Sequence, residues 1–218
     1  MNDGSLPGGA DSTRFALVPD VIRARRSIRR YLPAKVDEEI VQTLLAAAAD
    51  APSSHNRQPW RFVVLRPDEH KAQLANAMGE RLRADRTRDG DRADVIEADV
   101  ARSFARITGA PIVIAVCLTL RDVDQYPDAK RNQAEFLMAV QSTAMAVQNL
   151  LLAAHDAGLG ACWMCAPLFC PDAVSTALAL PADWQPQALV TVGYPADGGK
   201  PYQRRPLADL VKTAEAER

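Results

Sequence analysis

The first feature with chemical potential is a cluster of arginines near the start of the chain. Residues 23–30 hold five arginines and one serine but no acid: Arg23, Arg25, Arg26, Ser27, Arg29 and Arg30. A solvated basic surface usually interleaves its bases with acids. Guanidinium forks and a hydroxyl near a helix end suit a phosphate monoester. The residues alone leave three interpretations open: a phosphate site, a nucleic-acid patch, or plain surface charge.

A second candidate is the polar loop at residues 51–60, Ala-Pro-Ser-Ser-His-Asn-Arg-Gln-Pro-Trp. Seven of these ten residues can form side-chain hydrogen bonds, although apolar segments flank the loop on both sides. A polar loop between a buried helix and a buried strand suits a planar ligand with a polar edge. A well-capped connecting loop would have the same composition, so both interpretations stay open.

The cysteines and histidines argue against metal sites and nucleophilic catalysis. Cys162 and Cys165 form a C-x-x-C pair, but Pro167 and Pro171 interrupt the helix that a thioredoxin-like motif opens. We interpret the four cysteines as small buried hydrophobes, and the three histidines lack metal-ligand spacing. A hydrolase built on residues 54 and 55 is disfavoured because no orienting acid follows. The sequence has no Walker A loop, G-x-S-x-G elbow or complete G-x-G-x-x-G fingerprint.

Composition is that of an ordinary globular protein. The 218 residues include 26 basic and 27 acidic side chains, and 48% are hydrophobic. A net charge of −1 excludes a globally basic nucleic-acid binder, and no apolar run reaches the ~20 residues of a membrane span. The Gly-rich, acidic start does not resemble a signal peptide. We therefore expect a disordered tail over residues 1–14, one domain over 15–218, a cytoplasmic location, and no nucleic-acid or membrane partner.

Alternating helices and strands must position these residues. Apolar periodicity predicts helices over residues 18–26, 37–50, 69–108, 136–158 and 171–180. Strands are predicted over residues 61–65, 111–119, 160–164 and 188–194. Four strands in a chain of this length favour an α+β fold with a small sheet around a long central helix. Alternating charges over residues 81–92 predict a solvated, mobile segment.

Four motifs in this order resemble the FMN-dependent nitroreductase family. They are Arg25-Arg26-Ser27-Ile28-Arg29, residues 51–60, residues 148–163, and Val192-Gly193-Tyr194-Pro195 with Arg204-Arg205-Pro206-Leu207. The resemblance covers residues 18–211, nearly the whole chain. It implies an α+β, nitroreductase-like fold with a small mixed sheet packed around a long central helix. It also implies a homodimer with FMN bound at the subunit interface.

The resemblance assigns roles to three groups of residues. The first holds the FMN phosphate and ribityl chain: Arg25, Arg26, Ser27 and Arg29, with Arg204 or Arg205. The second comes from the other subunit and lies along the isoalloxazine ring and its polar edge: Pro52, Ser53, Ser54, Asn56 and Gln58. The third meets the reacting face: the backbone at Met164 and Cys165 near flavin N5, with His55 and Arg57 toward the substrate.

The resemblance implies no catalytic side chain, because FMN carries the hydride at N5 in a ping-pong exchange between a donor and a small-molecule substrate. Residues 52–60 and 162–169 look most like the nitroreductase-like domain of the γ-glutamyl ligase of deazaflavin coenzyme (F-420) biosynthesis. That branch would reduce a dehydro precursor of the coenzyme, with Arg57 or the arginines of residues 81–92 binding its phosphate. The sequence departs from that branch because it contains no ligase domain. The alternatives are a general NAD(P)H-dependent nitroreductase or enone reductase, and a non-catalytic binder of phosphate ligands or RNA.

Overall fold

The computed structural model describes residues 12–213, apart from the side chains of residues 12–17. Four strands form one sheet: β1 (Trp60–Leu65), β2 (Ile112–Thr119), β3 (Gly160–Met164) and β4 (Trp184–Gly193). Six α-helices are arranged on its two faces: α1 (Ser12–Ala24), α2 (Glu38–Ala49), α3 (Asp68–Arg88), α4 (Ala93–Thr108), α5 (Ala129–Asp156) and α6 (Pro171–Ala177). The predicted α+β class and all four predicted strands are confirmed.

The sheet has the strand order β1-β2-β4-β3, and every neighbouring pair is antiparallel. We expected a mixed sheet, and the difference follows from the connections. Helices α3 and α4 form an antiparallel pair that returns the chain to the end of the sheet where β1 finished, so β2 runs back beside it. The single helix α5 makes β3 parallel to β2, but β4 lies between them. An isolated parallel bridge joins Ser27 to Ala161.

Each face of the sheet has its own core. Helices α2 and α5 cover one face, where Leu44, Val147 and Leu150 pack with the strands. Helices α3, α4 and α6 cover the other, where Leu74 and Ile107 are fully buried. All eight residues of β2 are buried, which is why this strand is a continuous apolar run in the sequence.

Helix α5 is the predicted long central helix. It ends before Gly158, whose φ of 74° matches the predicted glycine cap. By length and composition alone α5 could cross a membrane. In the fold, however, it packs against α2 and the sheet as a core helix, and its buried face includes the polar residues Glu135, Ser142 and Thr143.

The predicted N-terminal tail overlaps the first helix. Helix α1 spans Ser12–Ala24, so it includes residues 12–14 of the predicted tail. The rest of that prediction, residues 1–11, lies outside the described residues.

The charged residues 81–92 complete α3 and the turn into α4. Their arginines pair with acids of α3, α4 and α6: Arg83 with Glu97 (2.6 Å), Arg86 with Asp91 (2.6 Å) and Arg81 with Asp172 (2.7 Å). Because α3 and α4 run antiparallel side by side, arginines of one helix face carboxylates of the other. The positive charge that the sequence offered here is therefore neutralised locally.

Candidate functional site

The arginine segment, residues 25–30, runs from the end of α1 along β3. The backbone N–H of Ile28 donates to the carbonyl of Ala161 (3.0 Å). This close approach requires Gly160, because a Cβ at that position would lie 2.6 Å from the Cβ of Ile28. Main-chain contacts thus anchor the segment independently of its arginine side chains.

A cavity of about 230 Å³, called here the cationic cavity, opens beside this segment. Its lining holds five basic residues and no acid: Arg25, Arg26, Ser27, Arg29, Lys200, Pro201, Tyr202 and Arg204. Among the side chains that the structure describes, those of Arg25 and Lys200 make no hydrogen bond or ion pair with one another or with any other, so their donors are free there. Such a lining suits a phosphate dianion, which binds through charge-assisted hydrogen bonds. Arg204 contributes to the lining and Arg205 does not.

Arg26 contributes differently from what the sequence suggested. Its Nη1 donates to three carbonyls at the end of α1, those of Arg23 (2.6 Å), Ala24 (2.9 Å) and Arg25 (2.9 Å). The cavity therefore adjoins the C-terminal end of a helix, where the macrodipole is negative and disfavours an anion. By capping these carbonyls, Arg26 offsets the negative end of the helix beside the cavity.

A second cavity of about 550 Å³, called here the wide cavity, shares Ser27, Arg29 and Lys200 with the first. Its other basic residues include Arg102 and Arg106, one turn apart on α4. Sequence reasoning missed both arginines, because acids alternate with bases along α4 as on any solvated helix. It also missed Lys200 and Tyr202, which carry no motif. The packing of α4 beside the arginine segment reveals Arg102 and Arg106, and the path of the chain after β4 reveals Lys200 and Tyr202.

The arginines around the two cavities also act electrostatically on a side chain of strand β3, the thiol of Cys162. Burial raises the pKa of the Cys162 thiol, while Arg29, Arg106 and Arg25 act in the opposite direction. Beside it, burial raises the pKa of the Tyr31 phenol well above its ordinary value. The Tyr31 hydroxyl lies 2.6 Å from the carbonyl of Ile28 and 2.7 Å from Oγ1 of Thr191. Tyr31 therefore stays neutral and ties the arginine segment to β4.

Three of the four cysteines are buried, as the sequence predicted, but Cys165 is not. Cys117, Cys162 and Cys170 are buried and free, and burial raises the pKa of Cys117 to about 12. Cys165 is exposed at the end of β3, where its sulfur accepts a hydrogen bond from the indole of Trp163 (3.0 Å). Met164, the last residue of β3, is half-buried, so the predicted N5 contacts lie at the open end of this strand.

The polar loop has a strained backbone. His55 (φ 50°), Asn56 (φ 54°) and Gln58 (φ 48°) all adopt the left-handed conformation, which costs a non-glycine residue roughly 1–2 kcal/mol. Hydrogen bonds hold the loop in place: the Gln58 N–H donates to Oγ of Ser53 (3.0 Å) and the Ser54 N–H to Oγ of Ser142 on α5 (3.3 Å). Strain that the surroundings enforce is typical of ligand sites. Pro52, His55, Asn56 and Gln58 remain exposed and available to a ligand.

One chain does not bring the loop and the arginine segment together. The loop leads into β1, one edge of the sheet, whereas the arginine segment follows β3, the opposite edge. Three strand spacings of about 4.8 Å separate these edges by roughly 14 Å, with the sheet between. Within one chain the polar loop and the arginine segment therefore lie at opposite edges of the sheet.

Arg57, the predicted substrate contact, is already paired. Its Nη2 donates to Oδ1 of Asp124 (2.7 Å), and its Nε is buried without a partner among the described residues. Its charge is therefore less available to a substrate than that of Arg25 or Lys200.

A larger cavity of about 690 Å³ lies away from these residues, between residues 32–36 and the start of α3. Its buried cation, Lys71, donates to the carbonyl of Ala110 (2.7 Å) and pairs with Asp68 (2.9 Å). With this cation already paired, we place the candidate site at the arginine segment.

An antiparallel sheet between two helical layers, with an arginine-lined cleft beside an edge strand, defines an α+β protein suited to a phosphate-bearing ligand. The Nitroreductase family model matches residues 22–194. A 5,6-dimethylbenzimidazole synthase of Rhodobacter capsulatus is 33% identical over 189 residues, covering 85% of this chain and 86% of that protein. An NADH dehydrogenase of Thermus thermophilus is 31% identical over 212 residues, covering 86% and 91%. The chain belongs to the nitroreductase family.

A solved structure agrees with the sequence relatives. A protein from Desulfovibrio desulfuricans, crystallised in complex with FMN, is 31% identical and superimposes with a TM-score of 0.69. The match covers 92% of this chain and 98% of that one. The fold is thus the nitroreductase fold, as the motifs predicted.

Proposed function

We propose that the protein is an FMN-dependent oxidoreductase that passes a hydride from a nicotinamide donor to a small electron-poor substrate. Family membership and the FMN-bound relative support the reaction class and the cofactor. The observation that carries the proposal is the cationic cavity, which holds five basic residues and no acid. A visible absorption spectrum of the purified protein, with mass identification of the released flavin, tests it. A colourless protein that FMN cannot reconstitute would favour the non-catalytic phosphate binder instead.

The residues of the arginine segment fit the phosphate end of FMN. We assign Arg25, Arg29 and Arg204 to the phosphate, with Ser27 as a hydroxyl donor and Arg26 as the cap of α1. The wide cavity then receives the remainder of the cofactor, where Arg29 and Arg106 supply positive charge. Bound FMN supplies a carrier that accepts a hydride from one reactant and delivers it to the next. The chain orients the reactants, excludes water and holds a positive field at this place, without a catalytic acid or base.

We propose that the polar loop, residues 51–60, of a second copy of the chain completes the site. Pro52, Ser53 and Ser54 would lie over the flavin, with Asn56 and Gln58 at its polar edge. Exposed apolar residues support the dimer: Leu137 (49% exposed) and Met145 (41%) on α5, and Leu207, Leu210 and Val211 in the C-terminal segment. Apolar side chains grouped on a surface mark an interaction site.

Replacing Leu137 and Met145 together with aspartate is expected to yield a monomer that has lost bound FMN. Two buried charges without partners would oppose association at the α5 face. Light scattering at micromolar concentration measures the mass, and absorption measures the flavin. Val95→Asp is the control, because Val95 is an equally exposed apolar residue (41%) on α4. A double variant that remains dimeric would show that α5 does not form the interface.

Reduction of a deazaflavin precursor is retained as a second candidate, supported by the local likeness at residues 52–60 and 162–169. Binding the phosphate of such a precursor requires unpaired cations at the entrance of the site. Arg57 pairs with Asp124, and Arg81, Arg83 and Arg86 pair with acids. We therefore favour the nicotinamide-linked reductase of small substrates.

The substrate preference is tested with Arg57→Ala. For a small nitroaromatic and a nicotinamide donor we expect kcat/KM to change less than about threefold, because a half-exposed, paired arginine contributes little. For the dehydro precursor, loss of a phosphate contact would raise the activation free energy by about 1.5–3 kcal/mol, which lowers kcat/KM about 10- to 150-fold. Comparing kcat/KM for the two substrates before and after the substitution separates the candidates. Preferred turnover of the precursor, with a kcat/KM that falls in the Arg57→Ala variant, would reverse our choice.

Formation of 5,6-dimethylbenzimidazole in the same mixture would point to the activity named for the Rhodobacter relative.

A further inference from the structure

Tyr202 lies within residues 200–204, which line one side of the cationic cavity. Its ring is in contact with two guanidinium groups, those of Arg26 and Arg204, each with its Cζ 4.3 Å from the ring centroid. Its hydroxyl donates to the carbonyl of Arg23 at the end of α1 (3.1 Å). A single aromatic side chain therefore joins three parts of the cavity wall: α1, the arginine segment and residues 200–204.

These contacts address a physical difficulty of the site. Arg26 and Arg204 carry like charges, and without a bound anion they repel each other. A guanidinium over an aromatic face is attracted by the ring quadrupole and is fixed in orientation. Stacking also leaves the edges of the guanidinium, which carry the N–H donors, free to hydrogen-bond. Tyr202 thus holds two cations near one another before any ligand arrives.

Residues 198–201 show why this anchor matters. Gly198 has no atom within 4 Å of a Cβ built on it, and Gly199 has a φ of 74°. Lys200 and Arg204, which line the cavity, follow these two glycines beyond the last strand. Between residues 200 and 204, the contacts of Tyr202 with Arg23 and Arg26 tie the segment to α1 and the arginine segment.

We propose that Tyr202 is a positioning residue that pre-organises Arg204 for the phosphate of the cofactor and holds Arg26 in place as the cap of α1, and this rests on the proposed FMN function. Without the ring, Arg204 would lose its fixed orientation and would have to be ordered by the ligand itself, while Arg26 would be held only by its Nη1 bonds to the end of α1. Pre-organisation of this kind raises affinity by lowering the entropy that binding costs.

The test compares FMN with riboflavin, which is the same flavin without the phosphate. Dissociation constants are measured by flavin fluorescence for the refolded or flavin-stripped dimer carrying Tyr202→Leu or Tyr202→Phe. We expect Tyr202→Leu to bind FMN about 5- to 30-fold more weakly, the effect of losing two exposed cation–π contacts. We expect riboflavin affinity to stay within about twofold. Tyr202→Phe keeps the stack and is expected to bind both flavins within about twofold of the unmodified protein.

Tyr126→Leu is the matched control. Tyr126 stacks with Arg131 in the same manner (4.6 Å) but lies outside both cavities, so its loss should not change FMN affinity. Equal FMN affinity in Tyr202→Leu, or an equal fall for FMN and riboflavin, would overturn the positioning role. If the unmodified protein binds FMN no more tightly than riboflavin, the cationic cavity is not a phosphate site. The proposed assignment would then fail first, and the role of Tyr202 with it.

Discussion

Replacing Arg25 and Arg29 together with alanine is expected to give a folded protein that no longer retains FMN. Both side chains line the cationic cavity. A hydrogen bond to a charged group contributes about 1.5–3 kcal/mol, so losing two should weaken FMN binding at least about 100-fold. The fold should survive because Ile28, between them, keeps its main-chain bond to Ala161. Absorption of the purified variant and titration with FMN measure the loss.

The control for this variant removes the same charge elsewhere. Arg83 and Arg88 lie on the exposed side of α3 and pair with Glu97 and Asp85. Their double alanine variant should bind FMN within about twofold of the unmodified protein. Full flavin occupancy in the Arg25/Arg29 variant would show that the phosphate lies elsewhere, even though the family assignment would stand.

Gly160→Ala is expected to lower both stability and flavin content. The new Cβ would lie 2.6 Å from the Cβ of Ile28 and 2.7 Å from its Cγ2, and the Cβ of Ile28 cannot move away without moving the backbone. Overpacking a core contact costs about 1–3 kcal/mol. Relief of the clash would push the arginine segment off β3 and so displace Ser27 and Arg29 from the cavity. Thermal unfolding reports the stability, and absorption reports the bound flavin.

Gly198→Ala separates this effect from the general cost of changing a glycine. At Gly198 the space for a Cβ is open and φ is not positive, so melting temperature and flavin content should stay unchanged. If Gly160→Ala retains both properties too, the contact between Ile28 and β3 does not position the site.

The sequence by itself determined the elements and the chemical types of the site. The apolar run of β2 and the periodicity of α5 follow from burial, which local patterning records directly. The arginine segment and the polar loop were recognisable because their residue types and order are local too. Together they were sufficient to indicate the family, the fold and FMN.

Tertiary structure decided which charges are available. Arg57 and the arginines at residues 81–92 are as basic in the sequence as Arg25, but acids from distant positions neutralise them. Conversely, Arg106 became part of the wide cavity only because α4 packs beside the arginine segment. The effective charge of a side chain depends on neighbours brought close by the fold, and a linear spacing does not record them.

The tertiary structure also decided how the site is divided. Arg204 lines the cationic cavity and Arg205 does not. The Arg26 side chain caps α1, and the ring of Tyr202 lies between the guanidinium groups of Arg26 and Arg204. Above all, the polar loop and the arginine segment lie at opposite edges of one sheet. Strand order arises from long-range pairing, so residues that are neighbours in a motif list need not be neighbours in one chain. That is why the sequence could indicate both halves of the proposed site, while only the fold shows that they lie at opposite edges of one chain's sheet.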